Sequence, residues 1–245
     1  MRVVCFFLIG IFLTACANQE APVTSPDPYE HYNRNAARFN DKLDTNVLKP
    51  VAVRYNRYVP RPVRESVSNF FSNLYQVQNI ANDALQANFY WTMNDIWRFA
   101  INSTVGIAGL FDPARHIGLT PHVNSFGLTF IAWGAKAAPY YVLPALGPST
   151  VSGLYSLAPN YVLSPWYFYN APIYATTGAY VLNAVNVRAS FLQQEEMSMA
   201  MVIDPYSFYR TVYLQYLTRL MYQNAHPPIW APGTVMPHGS IYRGI

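Results

Sequence analysis

AAPYYVLPALGPSTVSGLYSLAPNYVLSPWYFYNAPIYATTGAYVLNAVNV, residues 137 to 187, holds no acidic and no basic side chain. Widening the window to residues 116–187 adds a single charge, Lys136, where average composition would place roughly 18. A stretch this apolar is first tested as a membrane-spanning helix. It fails that test, because Pro139, Pro144, Pro148, Pro159, Pro165 and Pro172 interrupt it, with Gly147 adding another break. No clean run of about 20 apolar residues survives. Short helices joined by proline turns can instead lie within one leaflet, their backbone groups satisfied internally. Residues 117 to 187 are then expected to face acyl chains. The alternative is a very apolar globular core.

The whole chain leans the same way. Of its 245 residues only 11% are charged, against about 25% in ordinary soluble domains. Hydrophobic residues reach 52% and aromatic residues 16%. Disorder, coiled coil and collagen are excluded for the bulk of the chain. The net charge of +4 is too small for a surface that tracks nucleic-acid phosphates, so no nucleic-acid partner is expected. So few charges leave little polar surface for water to cover, and lipid is the expected cover.

Residues 1 to 16 read MRVVCFFLIGIFLTAC. Arg2 makes a short positive start, and the apolar run Val3 to Leu13 is too short to span a bilayer but right for a signal peptide. Leu13-Thr14-Ala15-Cys16 resembles the bacterial lipobox, whose cysteine is diacylated and becomes the new N-terminus. Cys16 is therefore the candidate lipidation site. The only other cysteine is Cys5, inside the signal, so the mature domain is expected to stand on packing and lipid, without a disulfide. Ala17, where an Asp would favour retention in the inner membrane, leans toward the outer one.

Four segments follow from this reading: a signal peptide over 1–15, an acylated tether over 16–28, a helical domain over 29–222, and a disordered tail over 223–245. Within the domain, Tyr29, Tyr32, Ala36, Phe39, Leu43 and Val47 recur at helical spacing until Pro50 interrupts or kinks the run. Pro60 and Pro62 make a hard break, with Pro62 suited to the first turn of a helix. That helix carries Val63, Val67, Phe70, Leu74, Val77, Ala81 and Leu85 on one face, with Asn69, Asn73 and Asn82 elsewhere. The next sets Met93, Ile96, Trp97 and Ile101 against Asn94, Asp95, Arg98 and Asn102. Asp112-Pro113 and Asp204-Pro205 read as N-caps followed by a first-turn proline. Strand-like alternation is scarce, and the fold class is all-α: short amphipathic and proline-broken helices in one leaflet.

Catalytic motifs are missing from the sequence: there is no G-x-S-x-G elbow, phosphate loop, H-E-x-x-H or C-x-x-C. No catalytic residue and no cofactor is expected. His116 and His122 lie six apart with no acidic neighbour along the chain, so no metal site is expected either. Asp83 and Asp95 could form a carboxylate pair across helices, but solvated or capping roles are the commoner reading, and Ser149 reads as a helix N-cap. Lys49, Arg54, Arg57, Arg61 and Arg64 form a basic run with no acid between Asp44 and Glu65. Anionic headgroups or an acidic partner suit it in an exported lipoprotein; a solvated helical face is the alternative.

Several segments together resemble the MlaA/VacJ family of outer-membrane lipoproteins. They begin with Asp27-Pro28-Tyr29-Glu30, Asn33-Arg34, Phe39-Asn40-Asp41-Lys42-Leu43-Asp44 and Val59-Pro60-Arg61-Pro62-Val63-Arg64. Ser68-Asn69-Phe70-Phe71-Ser72-Asn73-Leu74, Gly109-Leu110-Phe111-Asp112-Pro113-Ala114, Tyr141-Val142-Leu143-Pro144, Gly147-Pro148-Ser149-Thr150 and Asp204-Pro205-Tyr206 continue in order. Two places depart from the family pattern: Ser125-Phe126-Gly127-Leu128, where an acid and a Gln are usual, and Ser152-Gly153, where Arg-Asp is usual. The resemblance implies that the helices form a ring-like bundle embedded in one membrane leaflet, and that phospholipid is removed from the outer leaflet through an amphipathic channel. It implies phospholipid as cargo, a trimeric porin and a periplasmic lipid carrier as partners, and a periplasm-facing seat in the outer membrane. It also implies that Phe39 and Asn40 sit where the first helix meets the channel, as a gate. The competing readings are a membrane-bound hydrolase and a structural or virulence-associated surface lipoprotein without transport activity.

Overall fold

Capping chemistry explains where the elements begin. In the computed structural model, which describes residues 27–168, 171–199 and 202–227, the side chains of Asp112 and Asp204 accept hydrogen bonds from the Arg115 and Tyr206 amides, each followed by a first-turn proline. Helix α1 spans Glu30–Leu43 and runs through a π-helical turn, Asp44–Leu48, into α2, Lys49–Tyr58. Pro50 therefore does not break the helix. It has no N–H to return to the preceding turn, and the wider turn just before it absorbs the mismatch. Helices α3, Arg61–Leu85, and α4, Phe89–Thr104, form an antiparallel pair joined by a tight turn. Short α5, Pro113–His116, and α6, Phe126–Ala132, lead to a hairpin.

The hairpin corrects the all-helical detail of the sequence reading. Strands β1, Tyr140–Leu143, and β2, Gly147–Thr150, pair antiparallel, with Tyr140 opposite Thr150 and Leu143 opposite Gly147. Thr150, not Ser149, caps the next helix, accepting from the Gly153 amide. Then come α7, Val151–Val162, α8, Pro165–Phe168, α9, Ile173–Met199, and α10, Pro205–Ala225. The architecture is predominantly helical. No helix among the described residues is long and apolar enough to cross a membrane.

Helix α10 closes the circuit. Its N-terminal half packs Leu214 on Ala36, Tyr140 and Val142, while Leu217, three residues on, joins Leu128, Ile131 and Ala137 in a second small apolar cluster. At its C-terminal end the Gln223 carbonyl accepts from the Trp91 indole at 3.1 Å, and the Asn224 carbonyl from Asn88 at 2.7 Å. First and last helices are also joined by Arg34, which grips Asp204 with two nitrogens at 3.1 and 2.8 Å.

Which face each helix buries is the main surprise. The buried residues of α3 are Phe71, Asn73, Gln76, Asn79, Asn82 and Asp83; those of α4 are Trp91, Thr92, Asn94, Asp95, Arg98 and Asn102. The apolar face of α3 is exposed at its ends, Val63 and Leu85, and half-buried between them, while that of α4 looks outward, with Phe89, Met93 and Trp97 exposed, Phe89 by 76%. Helix α1 does the same, burying Asn33 and Ala36 and exposing Tyr32, Phe39 and Leu43. Among the described residues, buried side chains comprise 21 polar or charged and 14 hydrophobic. A water-soluble domain has the opposite balance. The exposed apolar surface is not confined to residues 117–187 but extends over α1 to α4 as well.

Candidate functional site

The polar interior is a hydrogen-bonded lattice. Asn73 donates to Ser103 Oγ at 2.9 Å, Asn79 to the His122 carbonyl at 2.8 Å, Thr129 to Asn82 Oδ1 at 2.7 Å, and Gln86 to both Thr129 and Asn124. Each satisfied bond contributes about 1 kcal/mol net, while each one left unmade costs about 1–3. The lattice is therefore rigid where it is complete. Gly109, at φ +87°, lets the chain after α4 approach α3; a Cβ there would sit 2.5 Å from that of Asn73.

Two buried ionic groups lie inside. Arg98, 2% exposed, donates to the Leu119 carbonyl at 2.6 Å and to Asp112 Oδ2 at 2.8 Å, and Asn102 donates to the other carboxylate oxygen. Although burial works the other way, the Arg98 guanidinium and Asn102 hold the Asp112 carboxyl below its ordinary range. The second group adds His122 to the Asp83 and Asp95 pair. His122 lies between Asp83 and Asp95, its Nδ1 at 3.5 and 3.3 Å from their Oδ2 atoms. Both carboxylates are fully buried, which overturns their reading as solvated or capping groups, and His122 has two acidic neighbours in space. Burial opposes charge on His122, but the carboxylates outweigh it and push its pKa up to about 9. The Trp91 ring stacks on the imidazole at 4.1 Å.

The gate candidates Phe39 and Asn40 sit beside the hairpin. Phe39 is 53% exposed, so it is not a core side chain. Asn40 donates from Nδ2 to the Leu143 carbonyl at 2.9 Å and accepts the Ala145 amide at 2.7 Å. Two helical turns earlier, Asn33 does the same: it donates to the Tyr140 carbonyl at 3.1 Å and accepts the Val142 amide at 2.9 Å. The spacing works because seven helical residues rise about 10.5 Å and three strand residues about 10 Å. Two asparagines thus clamp one hairpin edge as a neighbouring strand would. Ala145, in the left-handed region at φ 64°, is held there by the Asn40 clamp.

Further along the same continuous helix, Asp44 and Lys49 stand five residues apart across the π turn and share one side. Arg188 of α9 grips Asp44 at 2.7 and 2.8 Å and Glu195 at 2.6 Å, and Lys49 completes the chain to Glu195 at 3.2 Å. Lys49 is thereby taken out of the basic run. Arg61 pairs with Glu65 on the surface at 2.8 Å, Arg57 lies over the Tyr58 ring, and Arg64 Nε is buried without a hydrogen-bond partner. Arg54 edges an otherwise apolar groove of about 460 Å³ between α2 and α9, lined by Val51, Tyr55, Tyr58, Val181, Leu182 and Val185. Of the five basic residues, Lys49 is set apart by its pairing with Glu195. Cys16 lies outside the described residues, as do the signal peptide and most of the tail.

The two departures from the family pattern meet. A Cβ on Gly127 would lie 3.5 Å from the Cα of Gly153, and one on Gly153 would lie 2.5 Å from Ser149 Oγ. Helices α6 and α7 thus approach through two glycines. Leu128 joins the apolar cluster under α10, and buried Ser152 bonds to Thr150 at 3.0 Å.

Comparison with known proteins matches this chain over residues 25–219 to the MlaA lipoprotein family. It is 31% identical over 197 residues to the intermembrane phospholipid transport system lipoprotein MlaA of Escherichia coli K12, covering 77% of this chain and 76% of that one. The protein of the same name from Haemophilus influenzae is 28% identical over 219 residues, 86% of either chain. An uncharacterised protein of Rickettsia conorii is 35% identical over 191 residues, 78% of this chain and 76% of its own. A solved structure from work on the structural basis for maintenance of bacterial outer membrane lipid asymmetry superimposes with a TM-score of 0.70 at 30% identity. It covers 80% of this chain and all of the other. Family match, shared fold and ordered motifs agree: the chain belongs to the MlaA lipoprotein family.

Proposed function

We propose that this chain is an outer-membrane lipoprotein that takes phospholipid out of the outer leaflet and passes it to a periplasmic carrier. Acylated Cys16 anchors it; two acyl chains suffice, at about 0.8 kcal/mol per buried CH₂. The domain sits in the periplasm-facing leaflet with its apolar exterior among acyl tails, and a trimeric porin grips its rim. The headgroup travels through the polar interior while the tails follow apolar surface such as the groove between α2 and α9. No bond is made or broken. The free energy involved is that of a lipid changing surroundings.

The observation that carries this reading is the reversed burial: 21 polar against 14 hydrophobic buried side chains among the described residues. Such a domain is stable where lipid covers its outside, and its interior offers what a headgroup needs. The relatives named for intermembrane phospholipid transport point the same way.

Native mass spectrometry of the detergent-extracted protein tests it. Intact phospholipid is expected to leave with the protein. A protein that carries no lipid would favour a structural lipoprotein, and lysophospholipid or free fatty acid in its place would mark a hydrolase.

A further inference from the structure

We infer that Asp83, Asp95 and His122 form a binding site for one divalent metal ion, with zinc the best-fitting occupant. The three residues come from α3, α4 and the segment before α6, and their potential ligand atoms all lie within 4.8 Å of one another. All three side chains are buried.

Hydrogen bonding fixes the orientation of each. Asn224 donates through Nδ2 to the Leu220 carbonyl at 2.8 Å, so its Oδ1 faces His122 Nε2 at 3.1 Å as an acceptor. The imidazole proton therefore sits on Nε2. That leaves Nδ1 aimed at two carboxylate oxygens. If Nδ1 is bare, three lone pairs converge in a dry place, which requires a cation between them. Asp83 Oδ2 points into the same space and makes no hydrogen bond.

Distances suit a metal better than a proton held by one carboxylate. A charged N–H donating to a carboxylate closes to about 2.7–2.9 Å. The Nδ1 separations of 3.3 and 3.5 Å are longer. Ligands bound at about 2.1 Å to a tetrahedral zinc stand about 3.4 Å apart, which matches them. Charge agrees: two carboxylates and a neutral imidazole balance a divalent ion, whereas an imidazolium leaves one negative charge buried. Arg98, one turn along α4, is committed to Asp112.

The outer shell is also in place. Asn124 donates to Asp83 Oδ1 at 2.6 Å, Asn94 to Asp95 Oδ1 at 2.8 Å, and Asn224 accepts from His122 Nε2. Each ligand is thus steered by an amide on its far side, as ligating groups in metal sites are. A bound ion would pin α3, α4 and the chain before α6 at one point beside the polar interior.

The test uses the full-length acylated protein in detergent, stripped with EDTA and titrated with zinc. One zinc per chain is expected to remain after dialysis into metal-free buffer. X-ray absorption should show nitrogen and oxygen ligands with an imidazole signature and no sulfur. His122→Gln and Asp95→Asn should each weaken binding at least ~100-fold, with helicity by circular dichroism reporting whether each variant has folded. Wild-type protein that retains no zinc would overturn the proposal in favour of an imidazolium between two carboxylates, whatever the variants do. Zinc held without an imidazole ligand, or equally well by a folded His122→Gln protein, would overturn it too.

Discussion

Deleting Phe39 and Asn40 is expected to give a dominant, leaky protein that lets phospholipid reach the outer leaflet even beside a wild-type copy. Each helical residue turns the chain by about 100° and advances it 1.5 Å, so the deletion rotates everything downstream by about 200° and shortens it by about 3 Å. The helix from Glu30 to Tyr58 is held at both ends. Asn33 and Asn40 clamp the hairpin, while Asp44 and Lys49 meet Arg188 and Glu195 on α9. After the deletion these two sets of contacts lie on opposite faces, and both cannot be kept. Lys42 would take the place of Asn40, and it can donate to the Leu143 carbonyl but cannot accept the Ala145 amide. The anchor proposed at Cys16 precedes the deletion, so the altered chain is expected to keep its place in the membrane. Asn40→Ala should be milder, since it costs only the clamp at a partly exposed turn, about 1–2 kcal/mol. Detergent sensitivity of cells expressing deletion and wild type together is the measurement. Mixed cells that behave like wild type would show that the segment is packing, not a gate.

Arg98→Ala should be the most damaging single substitution for stability, by about 3–5 kcal/mol. It removes a nearly solvent-free guanidinium, abandons the Asp112 carboxylate, frees the Leu119 carbonyl and leaves a cavity behind α4. In a chain of this size that corresponds to a fall in Tm of roughly 10 °C. Arg98→Lys should lie between, because an ammonium retains the charge but cannot span both acceptors as the planar fork does. Thermal unfolding in detergent micelles reads both. An Arg98→Ala protein within about 1 kcal/mol of wild type, the size of a typical single-residue effect, would mean that the buried pair does not hold α4 to α5.

Local chemistry was legible in the sequence, and long-range partnership was not. Asp112-Pro113, Asp204-Pro205 and the break at Pro60 and Pro62 each resolve within one helical turn, and all fall where spacing places them. The faces of α3 and α4 were also correctly divided into polar and apolar. Periodicity gives the direction of such a division but not which side meets the interior, because that depends on the surrounding solvent. The hairpin escaped because its four-residue strands are hemmed by prolines and lean on Asn33 and Asn40, about a hundred residues earlier. Pro50 promised a kink that the π turn absorbed. An Asp83 and Asp95 pair across helices could be considered from the sequence, but His122 between them escaped for the same reason as the hairpin: nothing along the chain marks a residue that meets them only when α3 and α4 fold against the segment before α6. In the basic run, the pairing of Lys49 with Glu195 likewise lies beyond the reach of sequence order.

Photolabelling in a bilayer tests the reversed burial most directly. The full-length protein is reconstituted into phosphatidylcholine vesicles that carry a photoactivatable group near the end of one acyl chain, and labelled residues are mapped by mass spectrometry. On α4, Phe89, Met93 and Trp97 should be labelled heavily, while Asn94, Asp95, Arg98 and Asn102 on the same helix should stay at background. Labelling should appear on Val63 and Leu85 of α3 as well as over residues 117–187. Background acyl labelling of Phe89, Met93 and Trp97, together with ready modification by water-soluble reagents, would contradict the account. That result would make the apolar exterior a surface facing water or protein rather than lipid.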